Sequence, residues 1–66
     1  MKNQIKVERA RHNMTQADLA AAISVSRQTI NTIEAGKFVP STVLALKIAR
    51  VFGTSVHEIF ELEDGD

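Results

Sequence analysis

The sequence predicts an all-α fold of five short helices, the second and third joined by a tight turn, with a short strand near its end. Three observations carry this. Apolar residues recur at helical spacing in five separate stretches, and Ser, Thr or Asn stands ahead of each as a cap. Gly36 and Gly53 stand just beyond two of the stretches, where a left-handed residue ends a helix. From Phe60 the pattern changes to Phe, Glu, Leu, Glu, an alternation that suits a strand.

Asn3 is the expected cap of a first helix over residues 4–12, anchored by Ile5 and Val7. Arg9 falls on or beside its buried face, with no carboxylate at i+4 to answer it. Thr15 with Asp18 forms a carboxylate version of the capping box for a second helix over 16–23, with Met14 as the hydrophobic staple. Leu19, Ala20 and Ile23 face inward there, and Ala20 to Ala22 are small where this helix approaches the next. After Ser24 and Val25, Ser26 caps the third helix. That helix carries Ile30, Ile33 and Glu34 on one side, and Arg27, Gln28, Asn31 and Thr32 on the other.

Lys37 and Phe38 lie in the loop that ends at Pro40, and Phe38 is expected to shield the core. Ser41 then caps a fourth helix running to Phe52. At 100° per residue, its apolar side chains from Val51 round to Leu46 cover about 220°, roughly twice what a surface helix needs. The core covers part of that arc. Either a fifth helix with the termini, or a second subunit, must cover the rest. Ser55 and Glu58 spell a capping box for that fifth helix, which presents Val56, Ile59 and Phe60. The closing strand pairs with residues 1–4 or with the same segment of a second chain.

Sixty-six residues without cysteine make one domain, 1–66, whose last six residues form an acidic tail. Hydrophobic residues at 44% argue against disorder. No apolar run approaches the ~18 residues of a membrane span, and no signal-peptide pattern is present, so a cytoplasmic protein with no membrane partner is expected. The net charge of zero conceals a dipole. Residues 1–50 hold all eight bases against three acids, a net of +5, while residues 51–66 hold five acids and no base. A basic body can face a duplex while the tail points away or serves protein contacts.

An enzyme is not expected: there is no Cys, no phosphate-binding glycine loop and only two separated His. His57 and Glu58 resemble the start of a zinc-protease motif, but no second His follows, so neither metal nor cofactor is expected. Without Trp or Tyr there is no stacking platform for single strands. What remains is the second and third helices, a helix-turn-helix whose second member can enter a major groove. Arg27 can bridge guanine O6 and N7, Gln28 can bridge adenine N6 and N7, and Asn31 and Thr32 offer further base contacts. Ser26, Thr29, Lys37, Ser41 and Thr42 are the candidates for phosphate.

The stretches TQADLA, VSRQTINTIEAGK and PS..LALKIA resemble the Cro/C1-type (Xre-family) repressors over residues 5 to 60. The short length, the RQTIN helix and the EIFE ending are similar to the small cytolysin-repressor-like members. The resemblance implies a five-helix lambda-repressor-like DNA-binding domain with a small terminal sheet, and a structural ion pair between Arg9 and Glu34. It also implies a phosphate contact at Gln16, whose side chain could instead brace Gln28. The implied function is a homodimeric transcription regulator, a repressor on a pseudo-palindromic double-stranded operator. The alternatives are an antitoxin that autoregulates its operon, with the acidic residues 58–66 meeting a toxin, and a protein-interaction module that has lost DNA binding. Two positions depart from the family pattern. Ser24 stands where Gly is usual, at a strain cost of about 1 kcal/mol if φ is positive. Glu8 stands where Leu is common, which leaves Val7 to take up the packing.

Overall fold

Each predicted helix forms, trimmed by a residue or two where the caps take over. The computed structural model describes all 66 residues, in the order β1 (Lys2–Asn3), α1 (Ile5–Arg11), α2 (Gln16–Ala22), α3 (Arg27–Glu34), α4 (Thr42–Phe52), α5 (Val56–Ile59) and β2 (Phe60–Glu61). Every helix sends at least one aliphatic side chain to a common centre. Ile5, Leu19, Ile30, Ile33, Ile48 and Ile59 are fully buried, with Phe52 and Phe60 packed around them. Truncating any of these to Ala removes about 2–5 kcal/mol. No helix is long and apolar enough to cross a membrane.

Four helices end on the same device. After α1, Asn13 adopts φ +53° while its N–H donates to the Ala10 carbonyl and that of Met14 to Arg9. After α2, Ser24 (φ +59°) and Val25 donate to Ala21 and Ala20 in the same pattern. Gly36 with Lys37, and Gly53 with Thr54, repeat it after α3 and α4. This is the Schellman arrangement, which satisfies orphan carbonyls at the cost of one left-handed residue. The sequence announces it only where that residue is Gly. At Ser24 φ is positive, the condition under which a residue other than Gly carries strain there.

The caps at Thr15, Ser26 and Ser41 form as expected. The Thr15 hydroxyl accepts from the Asp18 N–H at 3.0 Å and the Asp18 carboxylate accepts from the Thr15 N–H at 2.9 Å. Two caps differ. Ser55 makes no side-chain cap, because α5 is a single turn and the Glu58 N–H donates to the Ser55 carbonyl instead. Asn3 lies one residue too early to be the N-cap of α1, a place taken by Gln4, yet its Oδ1 still accepts from the Ile5 N–H at 3.3 Å.

The expected strand finds its partner within the chain. β1 and β2 run antiparallel, Lys2 opposite Glu61 and Asn3 opposite Phe60, and the Gln4 N–H extends the pairing to the Ile59 carbonyl. The acidic tail does not simply point away. Glu63 and Asp66 close on the Met1 ammonium at 3.1 and 3.0 Å.

Three packing expectations are corrected. Val7 is 52% exposed and does not compensate for Glu8. Ile5, Glu8 and Arg9 lie at i, i+3 and i+4 on one stripe, so Glu8 takes the partly buried place and pairs with Arg11 at 3.0 Å, while Val7 turns outward. Phe38 is half exposed instead of shielding the core, because the loop carries it outward and Pro40 is the buried residue. Of Ala20 to Ala22 only Ala20 is buried, since the other two have turned past the contact with α3.

Candidate nucleic-acid interface

The outer face of α3 is set by what grips its inner face and its end. Ile30 and Ile33 are fully buried, which orients the helix about its axis. Glu34, in its last turn, meets Arg9 of α1 in a two-pronged pair: Nε donates to Oε2 at 2.7 Å and Nη2 to Oε1 at 3.0 Å. Arg9 Nη1 also donates to the Met14 carbonyl at 2.9 Å, which ties in the loop ahead of α2. Both side chains are mostly buried, and the bond to Glu34 raises the Arg9 pKa further, so the guanidinium stays charged. The expected structural pair is therefore formed. Sequence reasoning missed a third anchor: Asn3 Nδ2 donates to the Ile33 carbonyl at 2.9 Å. That contact spans 30 residues, and no local spacing could have signalled it.

Arg27 and Gln28 lie in the first turn of α3, exposed and outside every ion pair of the chain. Asn31 follows one turn later, also exposed, and its Oδ1 accepts from Gln16 Nε2 at 3.3 Å. Gln16 lies 3.5 Å from Glu34 Oε1 as well, so it braces Asn31 and Glu34, and not Gln28. Asn31 and Glu34 thus lie on the side of α3 that faces α2. Thr32 is half buried and donates its hydroxyl back to the Thr29 and Gln28 carbonyls at 2.9 and 3.1 Å. Its hydroxyl is thus occupied, and the methyl group is what it can offer a base.

Ser26 Oγ accepts from the Thr29 N–H and shares a proton with Thr29 Oγ1 at 2.9 Å. Whichever way that proton points, one hydroxyl hydrogen of the pair is left to donate outward. Ser41 is in a similar position, accepting from the Leu44 N–H with its own hydrogen free. Lys37 and Thr42 are exposed on either side of the loop that joins α3 to α4. The Asp18 carboxyl is held below the usual carboxylate range by the Thr15 N–H and hydroxyl, and adds fixed negative charge at the start of α2. No cluster of His, Cys, Asp or Glu able to hold a metal is present. The arrangement is one of hydrogen-bond donors and a cation on a rigid convex helix, suited to recognition.

A helix-turn-helix family model matches residues 5–59. The chain is 54% identical over 66 residues to an uncharacterized HTH-type transcriptional regulator of Methanocaldococcus jannaschii, with both chains covered in full. It is 47% identical over 64 residues to one of Archaeoglobus fulgidus, covering 97% of this chain and 90% of that one. It is 44% identical over 64 residues to the uncharacterized regulator YgzD of Bacillus subtilis, covering 97% of each. With the helix-turn-helix formed by α2 and α3 and likeness running along nearly the whole chain, this protein belongs to the Cro/C1-type helix-turn-helix family of transcriptional regulators.

Proposed function

We propose that the chain is a sequence-specific reader of double-stranded DNA that acts as a transcriptional repressor, binding a pseudo-palindromic operator as a homodimer. The observation that carries this is the contrast along α3. Its end is locked by Arg9, Gln16 and Asn3, while Arg27 and Gln28 in its first turn have no partner within the chain. Reading bases demands that combination: a fixed helix axis with free bidentate groups at the leading end. Arg27, Gln28 and Asn31 would meet base edges and the Thr32 methyl a thymine methyl. Ser26, Thr29, Lys37, Ser41, Thr42 and Gln16 would hold phosphates and fix the register.

One such module buries only about 600–1,000 Å² on DNA, so useful specificity calls for two, with recognition helices about 34 Å apart. Repression would follow from occlusion of polymerase. The antitoxin reading draws on the acidic segment, but Glu63 and Asp66 are engaged by Met1 and leave less free charge for a toxin. The repressor reading is the stronger one. Selection of bound duplexes from a random library tests it, followed by titration of the winner at several salt concentrations. A two-fold motif with half-sites about ten base pairs apart is expected. Weak, salt-sensitive binding with no enriched motif would refute sequence reading.

A further inference from the structure

Between the end of α2 and the polar strip of α4 runs an open cleft of about 360 Å³ that DNA reading leaves unused. Ala22, Ile23 and Val51 give it an apolar floor, and Lys47 and Arg50, both exposed and one turn apart on α4, stand beside that floor. Neither cation enters an ion pair. The end of α2 does not require them, because the Ala20 and Ala21 carbonyls already accept from the Val25 and Ser24 N–H groups. They also lie about 9 and 14 Å along the helix axis from the cap at Ser41, beyond the residues assigned to phosphate.

The complement of this cleft lies elsewhere on the same chain. Leu62, 77% exposed, shares a surface hollow with Glu61, Glu63 and Asp64. Met1 engages Glu63, but Glu61 and Asp64 stand outside every ion pair. An exposed leucine flanked by two free carboxylates thus matches an apolar floor flanked by two free cations. We propose that residues 61–64 of one copy dock in the cleft of another, with Leu62 on the floor and Glu61 and Asp64 against Lys47 and Arg50. The segment is held apart from its own cleft. Pairing with β1 fixes Glu61, Met1 engages Glu63 and Asp66, and the hollows around Leu62 share no residue with the cleft.

Donor and acceptor are different surfaces, so the contact runs head to tail and every copy carries both halves. Exposed ion pairs add little, so a single leucine sets its strength and free copies associate weakly. Copies bound side by side on DNA stand at an effective concentration of roughly millimolar, where so small a contact is populated. This consequence rests on the DNA reading given above, and the contact itself does not.

Carbodiimide, which joins a carboxylate directly to a lysine amine, tests the contact on the full chain. In a mixture of isotope-labelled and unlabelled protein, mass spectrometry separates links between copies from links within one. Links from Lys47 to Glu61 or Asp64 that join a labelled to an unlabelled peptide are expected. Their yield should fall by about tenfold in Leu62→Ser and in Arg50→Glu, with circular dichroism to establish that both are folded. No such links, or yields unmoved in the folded variants, would overturn the docking. On duplexes carrying two selected sites, spaced in steps across one helical turn, wild type should bind the second site about tenfold more tightly at the best spacing, and Leu62→Ser should lose that gain. Links without a gain at any spacing would remove the role on DNA and keep the docking. Links in a chain that binds no duplex would overturn the DNA reading instead.

Discussion

The pair that joins Arg9 to Glu34 should prove worth little as a pair and much to either partner alone. Arg9→Met leaves the Glu34 carboxylate 9% exposed, with only Gln16 at 3.5 Å to replace two bonds of 2.7 and 3.0 Å. Breaking a fully buried pair from one side costs about 3–5 kcal/mol. Arg9 retains 14% exposure, so about 2–4 kcal/mol is appropriate here. A chain of this size has roughly 3–10 kcal/mol in total, and such a loss lowers the melting temperature by about 8–30 °C.

Removing both charges, in Arg9→Met with Glu34→Leu, leaves no orphan ion. The double variant should lose only about 1–2 kcal/mol, so that, with Glu34→Leu costing as much as Arg9→Met, the coupling energy between the sites is at least about 2 kcal/mol. Urea unfolding of the four proteins measures the cycle, provided the m-values agree. If both single variants cost under about 1 kcal/mol, or their costs simply add, the pair is not the anchor of α3 argued here. The functional consequence can be read on the same proteins. Arg9→Met should weaken operator binding even below its melting temperature, because Glu34 ends the helix that carries Arg27 and Gln28.

Other outcomes follow from single features. Ser24→Gly relieves roughly 1–2 kcal/mol of left-handed strain and loses about 0.4–1 kcal/mol to added freedom in the unfolded chain, so the melting temperature should rise by about 2–6 °C. Asn13→Gly should gain less at a similar φ, since Asn tolerates it, and no gain at Ser24 would mean that the turn is unstrained. The folded Asp18 carboxyl is depressed by the Thr15 N–H, so its contribution is present above its unfolded value near ~3.9 and is lost as pH falls through the folded value. Melting temperatures of Asp18→Asn should therefore fall less steeply than wild type below about pH 4, with a residual slope from Asp66, depressed by the Glu63 N–H. An unchanged slope would remove Asp18 as a source. Arg27→Ala should lose about 1–3 kcal/mol on the best operator and relax preference at one base, while Lys37→Ala should weaken all duplexes alike and reduce the salt slope by about 1. Equal loss on all sequences for Arg27→Ala would move it to phosphate.

Local rules carried the reading of this chain a long way. Side-chain caps and helical spacing are contacts within four residues, so Thr15 with Asp18, Ser26, Ser41 and the inward faces of α2, α3 and α4 could be written down before any fold was known. The exposed polar face of α3 was legible for the same reason, because Ile30 and Ile33 leave Arg27, Gln28 and Asn31 only one side to occupy. Apart from the caps at Asn3 and Ser55, the expectations that failed were about how side chains compete for the core. Val7 and Glu8 are neighbours, and hydropathy favours Val7 for the core, but the direction of α1 is set by Ile5 and Arg9 together, and that geometry gives Glu8 the partly buried place at the edge of the core and turns Val7 outward.

Sequence by itself thus determined the number of helices, most of their boundaries and the set of polar residues on the outer face of α3. Tertiary structure alone decided that β1 pairs with β2 within the chain, that Asn3 and Gln16 brace α3, and that Leu46 is left uncovered at the rim of α4. The division has a physical cause. Helix and cap energies are summed over neighbours along the chain, whereas a bond between Asn3 and Ile33, or the place where α5 stops covering α4, depends on how all five helices share one core.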